Sequence, residues 1–252
     1  MKASFRAPLV RVDLHVHSSA SFDSKSEPER VADLENRLGL GPIFLTDHDT
    51  TLGAVRLQAV SRQRVVVGEE ITTTDGELIG LFLERRIPPG LTAKQTVIEI
   101  KKQAGLVYLE HPYDQFRRHL SEDAIEDLAT LIDIVEVFNA RSDDRTNRRA
   151  EELREVLGAA PGAGSDAHTL RELGSVDVEM EDFDGAQDFL GKLQTFVSPR
   201  GITRSPAADT PHQQEQDLLV RLTMLTGGGQ VRVDLYQRLL RRGGHAPLEQ
   251  SL

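Results

Sequence analysis

Short apolar runs alternate with amphipathic stretches along this chain, at intervals of roughly 25–30 residues, as far as about residue 195. That rhythm leaves little choice of fold. Strand, helix and strand in succession build βα units, which assemble into a mostly parallel sheet or barrel. The predicted strands are Leu9–His15, Pro42–Thr46, Arg64–Ile71, Leu78–Glu84, Leu106–Glu110, Ile132–Phe138, Ala159–Gly164 and Val176–Met180. Between them, Ser26-Glu27-Pro28-Glu29 reads as a capping box ahead of Val31, Leu34 and Leu38, and Gly39 stops that helix. Thr92 opens a helix carrying Val97, Ile100 and Ala104, closed by Gly105, while Ala150, Leu153 and Leu157 stripe another, closed by Gly158. One connection is too short for a helix. Thr74-Asp75-Gly76 predicts a hairpin that sets Glu77, at the start of one strand, beside Glu70 at the end of another.

The character changes after Gly201. Ser205 to Pro211 reads as a connector, and Gly227-Gly228-Gly229 separates helical stretches over 213–226 and 230–242. The expected organisation is a barrel over 1–200 and a partly flexible helical extension over 201–252. The chain has 252 residues, of which 38% are hydrophobic and 28% charged, enough for a large core in a globular α/β protein. No apolar run is long enough to span a bilayer and the first nine residues hold no signal core, so a cytoplasmic protein without membrane contact is expected. The absence of cysteine excludes disulfides and thiolate ligands. A net charge of −10 argues against a broad nucleic-acid-binding surface, although bound dications would reverse the field locally. Oligomeric state is left open.

Function is written at the strand ends. His15 and His17 close the first strand, and alternation points both to one side. Asp23 follows in the next loop, Asp47-His48-Asp49 ends the second strand, Glu69-Glu70 the third, and Glu77 begins the fourth. Glu110-His111 ends the fifth strand, Asn139 the sixth, and Asp166 with His168 the seventh. In a βα barrel these ends lie on one face. His, Asp and Glu so gathered suit Mn²⁺, Zn²⁺ or Fe²⁺, and there are more donors than one ion uses, so two or three divalent ions are expected. Arg141, and Arg117 and Arg118 after His111, are candidates for phosphate contact because guanidinium donates in pairs; Asn139 is a candidate for substrate contact or for tying down its loop. Alternation turns Glu69 away from the site, Asp13 reads as a support for the histidines beside it, Asp47 and Asp49 read as orienting His48 or capping the following helix, and His119, His212 and His245 read as surface residues.

Five motifs in order, Asp13-Leu14-His15-Val16-His17-Ser18, Thr46-Asp47-His48-Asp49, Gly68-Glu69-Glu70-Ile71, His111-Pro112 and Ser165-Asp166-Ala167-His168, resemble those of the PHP (polymerase and histidinol phosphatase) family. The resemblance covers about residues 9–200. It implies a distorted seven-stranded (β/α) TIM-like barrel with a trinuclear centre and metal-dependent phosphoesterase activity. Carried over by motif, His15, His17, Glu70 and Asp166 would hold one ion, Glu70 would bridge to a second shared with His111, and Asp23, His48 and His168 would hold the third. Two positions depart from the family pattern. Phe22 intervenes before Asp23, and Glu77 stands where a histidine is common; the hairpin argument favours Glu77 as a ligand.

The reading is therefore hydrolysis of the phosphate ester of a small metabolite or nucleotide, with Glu70, Asp166 and His168 carrying the chemistry. A pair of dications sharing a carboxylate acidifies water for attack on phosphorus; either His168 or a coordinated water protonates the leaving oxygen. Alternatives are a 5′-3′ exonuclease-like phosphodiesterase acting on short oligonucleotides, a silent metal-binding module, and an amidohydrolase. The last often needs a carboxylated lysine at a strand end, and none of the lysines here is placed at one.

Overall fold

A computed structural model describes residues 8–196 and 202–204. All eight predicted strands form: β1 Leu9–Val12, β2 Ile43–Leu45, β3 Val65–Thr73, β4 Gly76–Leu81, β5 Leu106–Leu109, β6 Ile134–Asn139, β7 Ala160–Gly164 and β8 Val176–Glu181. A further strand, β9 Ile202–Arg204, pairs with β8, so sheet structure continues past the expected boundary at residue 200. The predicted helical stretches over 213–226 and 230–242 lie outside the described residues.

Strands β2 to β7 form one curled six-stranded sheet in sequential order, while β1, β8 and β9 form a second sheet. The expected seven-stranded ladder is not continuous. β1 runs antiparallel to β8 from the Leu9–Glu181 pair to the Val12–Val178 pair, and so stays out of the larger sheet. Residues 14–17 then bridge that sheet's two free edges by single bonds. On the β7 side Leu14 N–H reaches Ala163 O at 3.2 Å and His17 N–H reaches Ala167 O at 3.0 Å. On the β2 side Thr46 N–H reaches Val16 O at 2.9 Å.

β2–β3, β5–β6 and β6–β7 are parallel, whereas β4 is antiparallel to both neighbours. The reversal at β4 is the predicted hairpin. Its Gly76 holds φ at +133°, and a Cβ there would lie 2.3 Å from the His119 carbonyl oxygen, so only glycine fits. The register places Glu77 opposite Thr72, with Glu70 opposite Ile79, so the two carboxylates share an edge without facing each other.

Alternation divides the core into two layers. Phe44, Val66, Tyr108 and Ile134 face inward with Leu14, Ile79 and Phe189. Ile43, Leu45, Val65, Val67, Val107 and Val135 face outward against the helices. These helices are α1 Pro28–Leu38, α2 Leu52–Val60, α3 Ala93–Lys102, α4 Glu122–Leu128, α5 Asp144–Leu157 and α6 Gly185–Phe196. Gly39 and Gly158 end α1 and α5 at φ of +71° and +65°, as their positions predict. Thr92 and Gln95 form a complete capping box at α3.

Two predicted helix ends differ. Ser26 does not cap α1, because Pro28 occupies the first turn and holds the preceding Glu27 extended as the N-cap at ψ 135°. Gly105 does not provide the left-handed turn after α3; Ala104 does, at φ +55°. Gly105 is needed for close approach, since a Cβ there would lie 2.9 Å from Leu81 O. Among the described residues no helix is long and apolar enough to cross a membrane.

Candidate metal centre

The C-terminal ends of the parallel strands and the β3–β4 edge share one rim with residues 14–17. There His15 and His17 turn their Nε2 atoms to within 3.1 Å of each other. Glu70 Oε2 lies 3.2 Å from the first and 3.1 Å from the second, and Asp166 Oδ1 lies 3.7 and 3.5 Å away. The other oxygen of Glu70 meets His111 Nε2 at 3.2 Å, so this carboxylate faces two groups of donors. Towards solvent, Asp23 Oδ2 lies 3.0 Å from His168 Nε2 and 3.4 Å from His48 Nε2. His17 stacks on both of those rings, at centroid separations of 4.2 and 4.7 Å.

Three groups of side chains thus offer ligand atoms within 4.8 Å of one another: His15, His17 and Asp166; His15, Glu70 and His111; and His17, Asp23, His48 and His168. Buried nitrogen and oxygen lone pairs crowded this closely require protons or cations between them. The set is pure N and O, which fits borderline divalent ions. His111 Nδ1 is buried with no hydrogen-bond partner. Glu77 is near this centre but outside the three groups, accepting a 3.2 Å bond from Thr72 Oγ1.

Supports surround the donors. Asp13 Oδ1 accepts from Ser165 N at 2.9 Å and His15 N at 3.3 Å. Asp47 accepts from Ser18 N–H at 2.6 Å, Ser18 Oγ at 2.8 Å and Ser21 Oγ at 3.1 Å. Ser21 Oγ in turn accepts from His48 N at 2.9 Å and lies 3.2 Å from His17 Nδ1. Asp49 accepts from Thr72 N at 2.8 Å, and Glu69 from Ile87 N at 2.8 Å, away from the donors as alternation predicts. Neither aspartate beside His48 caps α2.

Sequence reasoning missed Glu136, a fully buried carboxylate in β6 that touches His15 Nδ1 at 3.1 Å and His111 N at 2.7 Å. The available signal was a charged residue on the inward face of the run Ile134-Val135-Glu136-Val137. Asp114 was also missed. It accepts from Ser142 Oγ at 2.7 Å and from Arg117 Nη1 at 2.5 Å, linking the loops after β5 and β6. Two candidate ligands carry backbone strain, with φ of +26° at His111 and +52° at Asp166.

Of the predicted phosphate contacts, Arg117 Nε lies 3.0 Å from Asp166 Oδ2, and Arg141 Nη1 lies 3.6 Å from Asp166 Oδ1 and 2.7 Å from His168 Nδ1. Asn139 Nδ2 donates to Asp166 Oδ2 at 3.3 Å. Arg118 is not brought to the centre; its guanidinium donates to Thr73 O at 3.3 Å.

The charges are strongly coupled. Burial opposes ionisation of Glu70, but His15, His111 and His17 outweigh it and hold its pKa well below the usual range. Asp166 is held well below its usual value in the same way, burial being outweighed by His15, His17 and Arg117. Burial disfavours charge on His17, yet its bonds to Asp166 and Glu70 push the pKa up to about 9. His168 moves down, first through burial and then through the charge of His17. Burial followed by the charge of Glu70 raises Glu77.

A family described as PHP-associated matches residues 144–195. Among solved structures, a two-domain protein of Bacteroides vulgatus containing a predicted PHP-like metal-dependent phosphoesterase superposes with TM-score 0.60 at 19% identity, over 78% of this chain and 64% of that one. The chain belongs to the PHP family. Two further relatives, both from Methanocaldococcus jannaschii, are uncharacterized proteins. MJ1587 is 38% identical over 52% of this chain and 82% of its own length, and MJ0417 is 32% identical over 73% and 79%. The five motifs that carry the PHP resemblance are the segments bearing the three donor groups, Asp23 excepted.

Proposed function

We propose that this PHP protein is a metal-dependent phosphoesterase that hydrolyses the phosphate ester of a small metabolite or nucleotide. The observation that carries the reading is the convergence of His15, His17, Glu70 and Asp166 on one hollow, with two arginine side chains reaching Asp166 from neighbouring loops. His15, His17, Glu70 and Asp166 would hold one divalent cation, Glu70 and His111 a second with Glu77 beside it, and Asp23, His48 and His168 a third. Mn²⁺, Zn²⁺ and Fe²⁺ all suit these donors. Cations held there supply positive charge to phosphoryl oxygens and acidify water.

The remaining work falls to the chain. Arg117 and Arg141 present guanidinium forks for the phosphoryl oxygens, and Asp114 aims the first of them. Asn139 keeps Asp166 in place from the end of β6. His168 Nδ1 lies 2.9 Å from Asp166 O; donating to that carbonyl, it leaves the Nε2 lone pair facing Asp23, and the lowered pKa of the ring favours its neutral form. Both points favour a ligand role for His168 over that of proton donor to the leaving group. Residues 14–17 would act as the closing member of a seven-part barrel; their backbone bonds to Ala163 and Ala167 on the β7 side and to Thr46 on the β2 side support that reading. Among the described residues Lys94, Lys101 and Lys102 lie in α3 and Lys192 in α6, so none of these stands at a strand end, against the amidohydrolase alternative.

The test is phosphate release by the Mn²⁺-loaded full chain and by Asp166→Ala. Substrates are p-nitrophenyl phosphate, histidinol phosphate, sugar phosphates, nucleoside monophosphates and short oligonucleotides. Activity on a monoester, lost in the variant without loss of fold, is expected. Cleavage confined to oligonucleotides would move the assignment to a phosphodiesterase, and silence with metal bound would refute it.

A further inference from the structure

Glu136 sits beneath the donor hollow and takes part in no step considered so far. Its side chain is wholly buried, and all four of its contacts are made with potential donors. Oε1 meets His15 Nδ1 at 3.1 Å and Tyr108 Oη at 3.0 Å, while Oε2 meets His111 N at 2.7 Å and Asn139 Nδ2 at 3.0 Å. A carboxylate accepts and cannot donate, so the proton of a neutral His15 ring must sit on Nδ1. The Nε2 lone pair then faces His17, Glu70 and Asp166.

The three innermost histidines differ in this respect. His17 Nδ1 has only the hydroxyl of Ser21, and His111 Nδ1 has no partner. A carboxylate on the far nitrogen fixes ring orientation and raises ligand basicity, and losing such a partner costs about 10–100-fold in metal affinity. Resting on the metal-dependent reading above, we propose that Glu136 is the positioning residue of this centre. It sets the His15 tautomer and, through the His111 backbone and Asn139, holds the inner donors in register for a divalent cation.

The chemistry of glutamine makes this testable. In Glu136→Gln one end of the side chain becomes an NH₂ donor. Turned towards His111 N and Asn139 Nδ2, that end would face two donors. Turned towards His15 and Tyr108, it is satisfied if His15 accepts at Nδ1 and Tyr108 accepts at Oη. The variant therefore favours the Nε2–H form of His15, which removes the lone pair from the hollow. Tyr108→Phe is the control, since it deletes one partner of Glu136 and leaves the His15 bond.

Mn²⁺ binding to the metal-free full chain is followed by the EPR signal of free Mn²⁺. ¹⁵N NMR reads the His15 ring at a pH where it is neutral, and thermal unfolding checks the fold. Expected are roughly 10–100-fold weaker Mn²⁺ binding in Glu136→Gln with His15 protonated at Nε2, binding within about threefold of wild type in Tyr108→Phe, and partial recovery in Glu136→Asp. Wild-type affinity with an Nδ1–H ring in Glu136→Gln would overturn the inference. An equal loss in Tyr108→Phe would do the same, by showing that packing alone is at stake. If Glu136→Gln does not fold, Glu136→Asp against Tyr108→Phe decides it, and equal affinities overturn it. Failure of the wild type to bind Mn²⁺, Zn²⁺ or Fe²⁺ would instead overturn the metal-centre reading, and this inference with it.

Discussion

Gly164→Ala asks whether the centre depends on close packing of the backbone beneath it. A Cβ at Gly164 would stand 2.3 Å from His15 Cβ, 2.8 Å from Glu136 Oε1 and 3.0 Å from His15 N. Ordinary contact begins near 3.4 Å, so His15 or β7 must give way by about 1 Å in a core that packs like a crystal. The nearest atom belongs to a side chain pinned at both ends by Glu136 and Glu70, not to the free end of a flexible one. Overpacking of this kind costs about 1–3 kcal/mol, set against about 0.4–1 kcal/mol gained from a stiffer unfolded chain. A net loss of about 1–2 kcal/mol lowers Tm by roughly 2–4 °C per kcal/mol in a domain of this size. A shift of about 1 Å would also break the 3.1 Å contact of His15 with Glu136, so Mn²⁺ affinity should fall by about tenfold or more. Gly191→Ala in α6 is the matched control. Nothing lies within 4 Å of its added Cβ, and an exposed helical Gly→Ala change should gain about 0.5–1 kcal/mol. Thermal unfolding of the metal-free proteins and Mn²⁺ titration of both variants make the measurement. Wild-type Tm and affinity in Gly164→Ala would refute the reasoning.

Other outcomes follow from the same geometry. Because His17 in the metal-free protein binds its proton up to about pH 9, against a reference of 6.5, cation and proton compete. Mn²⁺ affinity should rise with pH between those values, and the stability that the charged ring lends the metal-free fold should be complete below pH 6.5 and disappear as pH passes 9; an affinity flat over that range would contradict this. Arg117→Ala should lower kcat/KM by about 10–100-fold through loss of a charge-assisted contact, while Arg118→Ala, tied to Thr73 O, should leave it within twofold. Thr92→Ala should cost about 1 kcal/mol of stability by removing the α3 capping box, with no change in metal binding.

The donors were legible because a strand end is a place where sequence pattern and geometry coincide. His111, Asp166 and His168 follow β5 and β7 of the larger sheet, His15 and His17 follow β1 outside it, and Glu70 lies inside β3, yet each comes after an apolar run of the sequence. Glu136 was illegible for the opposite reason. It sits within β6, where a single carboxylate gives no hint that four donors from β5, β6 and the segments that follow β1 and β5 converge on it. The Asp47–Ser21–His17 relay likewise depends on Asp47, which is 26 residues from Ser21 in the chain. Positive φ at His111 and Asp166 is imposed by tertiary packing, since neither residue type demands it. The pairing of β1 with β8, which takes β1 out of the larger sheet, depends on where the chain is after seven strands, and local pattern carries no record of that. Glu77 marks the limit of register arguments. The hairpin was read correctly, but direct opposition falls on Thr72, and the carboxylate stays outside the donor groups.

The most direct measurement is anomalous diffraction from crystals of the full chain grown with Mn²⁺. The account requires a peak between His15, His17, Glu70 and Asp166, with further peaks between Glu70 and His111 and beside Asp23, His48 and His168. Full Mn²⁺ loading with no peak in the first of these positions would contradict it.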